Sequence, residues 1–332
     1  MASFADFSYI YARICGAYSQ MRLYSKNFAL ENVRSPSQLW KFWFQEEPPA
    51  LPEYVLVGLA EKKILKDSIR KFSHLAEILP ETDALAHSLL LKYEISTLKN
   101  LLLKILKNED KPEIIDYQSP VILRLLEFWP NLKAGLHGTD YAWIDNTALN
   151  DIGKTENQLD RFYYLHLWDA IQALPTSKTG AIQALIVREM LYQNAIWALR
   201  IYQYYGFSRE KTQTMLMSIP QKDITSDALK IFDYKLENLA SFTEWPLKAL
   251  LKNQSDKGLD IPLLEITAQR ELFLAVRKAL HFFPENYTPL YCYFKLLDGE
   301  VNLFSVAMES IRLGVSLSES VQFIWALGGE PA

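Results

Sequence analysis

Along this chain of 332 residues, long segments with apolar residues at every third or fourth position alternate with short polar breaks. Such spacing is typical of amphipathic helices that bury one face. It predicts helices over residues 60–78, 83–107, 158–174, 180–205, 262–282 and 289–313. Strict alternation of apolar and polar residues is scarce, and no Asn-Gly hairpin signal occurs. The pattern therefore predicts an all-α fold.

The breaks between these segments indicate how the chain is divided. The main breaks are predicted at residues 45–54, 133–158 and 252–262. The middle one is long enough to contain a short helix. None has the Gly and Ser content of a flexible tether, so we expect the parts to pack into one body, a single domain over residues 1–332.

The N-terminal part contains a further helical stretch, which we predict at residues 8–33. A new helix should begin directly after it. Ser35 suits the N-cap position, Pro36 the first helical position and Gln38 the third. We interpret this region as an additional helical half-unit.

A frame of Asn, Gly and Ser occurs twice in the chain. It is present in "NAIWALRIYQYYGFS" (194–208) and again in "NLFSVAMESIRLGVS" (302–316). Gly206 and Gly314 each follow a long helical pattern, where a left-handed glycine ends a helix at low cost. An apolar residue and then a serine follow each glycine, and the serine suits the N-cap of a new helix. In the second copy, Glu319 completes a capping box. The frame predicts a helix, a tight stop and an immediate restart.

A weaker third copy runs from Glu94 to Asn108, with asparagine at the place of the glycines. Asparagine is the residue that next best tolerates the left-handed conformation. A second mark also recurs, since a Thr-x-aromatic pair precedes each of the later copies. The pairs are Thr139 with Tyr141, and Thr243 with Trp245. The spacing predicts three pseudo-repeats, roughly over residues 1–116, 117–224 and 225–332.

Composition narrows the class of protein. Apolar residues make up 49% and charged residues 22% of the chain, which is ordinary for a globular protein. The net charge of −4 provides no basic footprint for nucleic acid. Two cysteines make no disulfide framework, the N-terminus lacks the basic region of a signal peptide, and no apolar run reaches the length of a membrane span. We therefore expect a soluble protein of the cytoplasm without a membrane span of its own.

An aromatic-rich, all-α chain of this length is also compatible with a terpene cyclase or prenyl transferase. Those enzymes hold magnesium on aspartate-rich helices, because a diphosphate leaving group needs hard cations with carboxylate ligands. No DDxxD motif occurs, and Asn302, Ser305 and Glu309 do not have the spacing of the second metal motif. The segment "TSKTG" (176–180) lacks the glycine frame of a phosphate loop, and we interpret it as a turn between helices.

Other reactive side chains lie in unsuitable patterns. The five histidines, at positions 74, 87, 137, 166 and 281, have no second His or Cys at metal-ligand spacing. Asp298 and Glu300 have no partnered base, and we interpret them as helix or ion-pair residues. Asp160 and Arg161 are adjacent, so they point to different helix faces and more plausibly hold neighbouring helices. We expect no catalytic residue, cofactor or metal.

Several motifs resemble the C subunit of bacterial and archaeal V-type (A/V-type) ATPases, which is the counterpart of the d subunit in the eukaryotic membrane sector. They are "LHGTDY" (136–141), "LDRFYY" (159–164) and "FFPENYTPLYCYFKLLDGEVNLFSVAMESIRLG" (282–314). The resemblance covers most of the chain. The chain departs from the pattern at Tyr192, which stands where the last copy has Glu300, and near 41–45, where the first Thr-x-Tyr mark is missing.

The resemblance implies a funnel of three similar helical units around a pseudo-threefold axis. In that family the funnel is a non-catalytic coupler of the central stalk. Its implied partners are the rotor axle subunits of the catalytic sector and the membrane proteolipid ring, which would place the protein peripherally on the membrane through the ATPase complex. A helical-repeat scaffold unrelated to rotary ATPases is the alternative. The marks that we assign to the repeat are Asn108, Thr139, Tyr141, Asp160, Arg161, Asn194, Gly206, Thr243, Trp245, Glu300, Asn302 and Gly314.

Overall fold

A computed structural model describes residues 4–21, 33–78, 83–112, 117–220, 222–236, 238–252, 254 and 258–315. The described residues form twelve α-helices. They are α1 (Phe4–Ser19), α2 (Pro36–Phe44), α3 (Glu53–Ala76), α4 (Asp83–Leu106), α5 (Pro120–Glu127), α6 (Leu132–Leu136), α7 (Ile152–Gln172), α8 (Gly180–Arg200), α9 (Arg209–Met215), α10 (Ser226–Leu229), α11 (Ile261–Phe282) and α12 (Thr288–Arg312). Within the described ranges there is no β-strand, only one isolated bridge between Ile219 and Lys222. The all-α fold is confirmed.

Short polar side chains determine where many of these helices begin. The hydroxyl of Ser35 accepts a hydrogen bond from the Gln38 amide (3.3 Å), and Pro36 is the first residue of α2, as predicted. The same pairing of an N-cap acceptor with an early proline begins α5 and α11. These caps satisfy backbone amides that have no partner within the helix. The sequence therefore specifies the helix starts locally.

The predicted long helices are confirmed, with two corrections. The helical stretch predicted at 8–33 is wrong at Gln20, Met21 and Val33, because α1 ends at Ser19. Residues 22–32 lie outside the described part, so the prediction is not tested there. Helix α7 begins at Ile152, inside the break predicted at 133–158. The Asp151 carboxylate caps it by accepting from the Lys154 amide (3.0 Å), although the apolar pattern starts only at Leu159. The restart at Ser316 and the capping box with Glu319 also lie outside the described residues.

The chain divides into two compact units. The larger unit comprises residues 1–81 and 174–332, and the smaller unit comprises residues 82–173. In the larger unit, α3 and α12 run antiparallel: the rings of Phe72 and Phe294 lie 5.0 Å apart, while Leu56 and Ile64 share a buried cluster with Leu303 and Met308. The division into three pseudo-repeats stays a prediction.

A second apolar core of the larger unit lies around α8 and the chain that follows it. Trp245 and Phe242 are almost fully buried there, and their rings meet edge to face at 5.7 Å. Burial of such rings contributes strongly to stability, because each removes a large apolar area from water. This core fixes the irregular segment 216–251 against the C-terminal half of α8 and the start of α11.

The smaller unit is built on the pair α4 and α7, which run antiparallel. The Lys99 ammonium donates to the Asp160 carboxylate (2.6 Å), and the Ser88 hydroxyl donates to the His166 carbonyl (3.4 Å). Leucines line the interior of this pair and of α5 and α6. Among the helices described in either unit, none combines the length and the apolar character needed to cross a membrane.

Candidate functional site

The three helices that carry the repeated frame all end at a residue with positive φ. The φ angles are 54° at Asn108, 60° at Gly206 and 69° at Gly314. The left-handed conformation predicted for Gly206 and Gly314 is confirmed. A Cβ atom added at either glycine would meet no heavy atom within 4 Å. Glycine is therefore favoured at both positions by the backbone conformation alone, because left-handed φ strains other residues.

The end of α12 shows how such a stop works. The Gly314 amide donates to the Ile311 carbonyl (3.1 Å), and the Val315 amide donates to the Ser310 carbonyl (2.9 Å). These two bonds define a Schellman motif, which satisfies carbonyl groups that the last helical turn leaves free. Helix α4 ends in the same way. There the Asn108 and Glu109 amides donate to the carbonyls of Ile105 (3.0 Å) and Lys104 (2.9 Å).

Helix α8 reaches its stop differently, through a π-helical turn over Ile201–Tyr205. The restart at Ser208 is confirmed, since its hydroxyl accepts from the Lys211 amide (3.3 Å) and begins α9. A π-turn contains one extra residue. Helix α12, which carries the other copy of the frame, ends without a π-turn. Asn194 is 1% exposed, while Asn302, its counterpart in the sequence frame, is exposed.

The buried Asn194 holds an irregular segment against α8. Its Nδ2 donates to the carbonyls of Met217 (2.9 Å) and Ile224 (2.7 Å), and its Oδ1 accepts from the Met217 amide (2.8 Å). Three bonds use most of the donor and acceptor capacity of the amide. A buried amide satisfied in this way fixes the backbone at Met217 and Ile224 against α8.

The first Thr-x-Tyr mark forms a turn in the smaller unit. The Thr139 hydroxyl donates to the Leu136 carbonyl (2.8 Å) and accepts from the Tyr141 amide (3.2 Å). This turn places Tyr141 in the core, where its hydroxyl donates to the buried Glu94 carboxylate (2.7 Å). Burial, and then the nearby Glu94 charge, raise the pKa of Tyr141. The tyrosine therefore keeps its proton and remains a donor to Glu94.

The second mark occupies a different environment in the larger unit. Trp245 is buried, and its indole Nε1 donates to the Asp227 carbonyl (2.9 Å). Thr243 is exposed, and its backbone carbonyl accepts a hydrogen bond from the Lys248 ammonium (2.8 Å). Both marks thus bury an aromatic side chain with a satisfied polar atom, but only Tyr141 contacts a carboxylate.

A buried ionic cluster joins α8 to α12, and the sequence prediction missed it. The Lys295 ammonium lies 2.7 Å from the Glu189 carboxylate, and the Tyr291 hydroxyl donates to the same group (3.2 Å). The side chains of Lys295 and Glu189 are 7% and 10% exposed. One signal for it exists, because Glu189 interrupts the apolar face that Ile182 and Ile186 begin. An acidic residue on an apolar face indicates a buried partner.

The remaining predicted marks lie apart from this cluster. Asp160 pairs with Lys99 on α4, as expected of a residue that holds neighbouring helices, and Arg161 is half-buried on α7. Glu300 is buried on α12, and its charge, after burial, contributes to the raised pKa of Tyr293. The structure therefore distributes the marks over both units, with no single reactive centre among them in the described ranges.

Side chains with catalytic potential are also dispersed. Within the described residues, no three His, Cys, Asp or Glu side chains are grouped so that they could hold a metal ion. The His166 ring lies tilted against the Phe162 ring with centroids 4.0 Å apart, and Nδ1 of His281 lies 3.2 Å from the Tyr11 hydroxyl. Burial raises the pKa of the Cys292 thiol, which disfavours the reactive thiolate. The segment 176–180 contains a short 3₁₀ turn over Thr176–Lys178 that leads into α8.

These features define an all-helical protein whose buried polar groups fix helices and loops against one another. The chain matches the family described as ATP synthase (C/AC39) subunit over residues 47–320, and it belongs to that family. The family resemblance of the sequence motifs is thereby confirmed, and membership makes the chain a stalk subunit of a V-type ATPase. A protein of Treponema pallidum (strain Nichols), named only "Uncharacterized protein", is 22% identical over 339 residues, which covers 95% of each chain.

Proposed function

We propose that this protein is the non-catalytic coupler in the central stalk of a rotary V-type ATPase. It connects the rotor axle of the ATP-hydrolysing sector to the membrane proteolipid ring, so that ATP turnover and ion transport are linked. The observation that carries the proposal is the family match over residues 47–320, which spans α3 to α12. The protein then lies on the cytoplasmic side of the membrane, held there by the complex.

The internal contacts support a mechanical function. A stalk protein that transmits torque must resist deformation. If its helices slid past one another, part of the torque would be lost. The Glu189–Lys295 pair fixes α8 against α12, and the Asn194 bonds fix the segment that follows α9. Satisfied buried polar groups specify one packing arrangement more strictly than apolar contacts do. Rigid connection is thus the property that these residues provide.

The proposed architecture is a funnel of three similar helical units around a pseudo-threefold axis. Its support is the frame in the sequence together with the positive φ at Asn108, Gly206 and Gly314. A broad concave surface would resist the side loads of rotation, and a stable interface buries at least roughly 1,200 Å². The net charge of −4 favours attraction of a basic axle tip.

Two measurements test the proposal. The purified chain should bind the axle protein of its own ATPase in the absence of nucleotide and should hydrolyse no ATP itself. Membranes from a deletion strain should retain ATP hydrolysis by the catalytic sector but lose ATP-driven ion pumping, and the gene supplied in trans should restore it. Normal pumping without the protein, or nucleotide turnover by the isolated chain, would contradict the proposal.

A further inference from the structure

A groove of about 380 Å³ lies between α1 and α3 in the larger unit. Its lining includes Arg13, Gly16, Gln20, Lys71, His74 and Tyr293. Three of these side chains are basic or become cationic on protonation, and none is acidic. The lining of the groove therefore contains basic side chains and no acidic one, in a protein whose net charge is −4.

The basic side chains are not neutralised by carboxylates of the lining. The Arg13 guanidinium donates to the Tyr9 hydroxyl (3.2 Å), and its Nη2 lies 3.5 Å from Nε2 of His74. Lys71 forms no ion pair with any of the described carboxylates. Asp67 pairs with Arg70 (3.1 Å), and the Glu77 carboxylate lies 4.0 Å from Nδ1 of His74. Arg13 and Lys71 are therefore the cationic side chains of the lining that have no carboxylate partner among the described residues.

Gly16, an exposed residue near the C-terminal end of α1, also lines the groove. Glycine weakens a helix relative to alanine, so a glycine at such a position calls for a reason. A Cβ atom added at Gly16 would meet no heavy atom within 4 Å. Packing within the described residues therefore does not require glycine there. The open space lies on the same wall as Arg13, one helical turn away, where a bound group could approach the backbone.

We propose that this groove binds a phosphate group. A guanidinium recognises phosphate oxygens through two parallel hydrogen bonds, and an ammonium adds a point charge. Gln20 and Tyr293 contribute neutral polar groups to the lining of the groove. The ligand is a phosphomonoester of a lipid headgroup or a small soluble phosphate, since both present the same chemistry. The inference does not rest on the proposed coupling function, because it concerns the isolated chain.

The test uses two probes on the full-length protein in 150 mM salt. Titration calorimetry measures binding of inorganic pyrophosphate, and co-sedimentation measures binding to phosphatidylcholine vesicles with and without phosphatidic acid. The double variant Arg13→Gln/Lys71→Gln should bind the preferred probe at least roughly tenfold more weakly, because two charged contacts are lost. The matched control Lys107→Gln/Lys111→Gln changes the net charge equally at exposed positions of the smaller unit and should bind within twofold of wild type.

A third variant, Gly16→Met, fills the groove without changing charge and should weaken binding while the melting temperature stays at or above that of wild type. Binding of pyrophosphate alone identifies a soluble phosphate as the ligand, and binding only to vesicles with phosphatidic acid identifies a lipid. The proposal is overturned if neither probe binds, if plain phosphatidylcholine vesicles bind equally well, or if the Lys107/Lys111 control loses as much affinity as the groove variant.

Discussion

Helices α4 and α8 are similar in length and in how they end, but their buried glutamates have different partners. Each is long, each ends at a left-handed residue, and each carries a buried glutamate. In α4, Glu94 accepts a hydrogen bond from the neutral Tyr141 hydroxyl. In α8, Glu189 faces the Lys295 ammonium as well as the Tyr291 hydroxyl. In the smaller unit a neutral hydrogen bond thus stabilises the buried carboxylate, and in the larger unit an ion pair does so.

The difference indicates which property the repeated frame preserves. The frame sets where a helix stops, and each unit then supplies its own partner for the buried acid. An ion pair in the interior is sensitive to the loss of one partner, because the remaining charge has no solvent to stabilise it. Removal of a neutral hydrogen-bond donor costs less folding stability than removal of a charged partner. The two units should therefore respond unequally to matched substitutions.

The largest effect is expected for Lys295→Met. The substitution removes the cationic partner of the buried Glu189 carboxylate, and it should lower the free energy of unfolding by about 3–5 kcal/mol. Urea unfolding followed by circular dichroism measures this. Lys104→Met is the control, because its pair with Glu109 is exposed and its loss should cost less than about 1 kcal/mol.

A double variant separates the ion pair from simple packing. Glu189→Leu/Lys295→Met removes both charges and should recover most of the stability that Lys295→Met loses, because no unpaired charge remains. If the double variant is as unstable as the single one, the loss comes from packing, and the contrast between the two units fails.

The next effect is expected for Tyr141→Phe in the smaller unit. The ring stays in place while Glu94 loses its donor, so stability should fall by about 1–3 kcal/mol. Tyr204→Phe, at an exposed position, is the matched control and should change stability by less than about 0.5 kcal/mol. A loss at Tyr141 equal to that of Lys295→Met would remove the distinction between a hydrogen bond and an ion pair.

The sequence was sufficient for the features that depend on neighbouring residues. Apolar periodicity predicted the long helices, Ser35 and Ser208 predicted caps, and Gly206 and Gly314 predicted left-handed stops. Each of these depends on the chemistry of a few consecutive residues. Asn108 follows the same reasoning, since asparagine tolerates positive φ.

Features that depend on residues far apart in the chain could not be predicted. The Glu189–Lys295 pair joins positions about one hundred residues apart, and only the helix packing brings them together. The π-turn before Gly206 adds a residue to the end of that helix, and no local pattern in the sequence predicts such an insertion. Helix α7 began early because a polar cap, not apolar periodicity, determined its start.

A smaller effect is expected at the left-handed stops. Gly206→Val and Gly314→Val place a branched side chain at positive φ and should each cost about 1–2 kcal/mol. The surroundings are open at both sites, so steric clash should add little. Gly58→Val is the control, because Gly58 is also open but lies inside α3. Stability unchanged in both stop variants would show that their backbone conformation is not the reason for glycine.

The smallest effect concerns two aspartate turns, one in each unit. The Asp223 carboxylate accepts from the amides of Ser226 and Thr225 (both 3.0 Å), and Asp145 accepts similarly from Thr147 (2.8 Å) and Ala148 (3.2 Å). Hydrogen bonds from Ser226, first from its amide, and from Thr225 lower the pKa of Asp223 to about 2, and the Thr147 bonds lower the pKa of Asp145.

The pKa of Asp223 in the folded protein lies below its value of about 3.9 in the unfolded chain. The Asp223 carboxylate therefore stabilises the fold fully above about pH 3.9, and this stabilisation is lost as the pH falls through about 2. Both turns are exposed to solvent, which keeps the contribution small. Carboxyl NMR titration should give a midpoint near 2 for Asp223, and Asp223→Asn should be slightly less stable than wild type at pH 6, with the difference shrinking below pH 3. A midpoint near 3.9 would mean that the turn does not hold the charged carboxylate, and the parallel between the two units would then be limited to their helix stops.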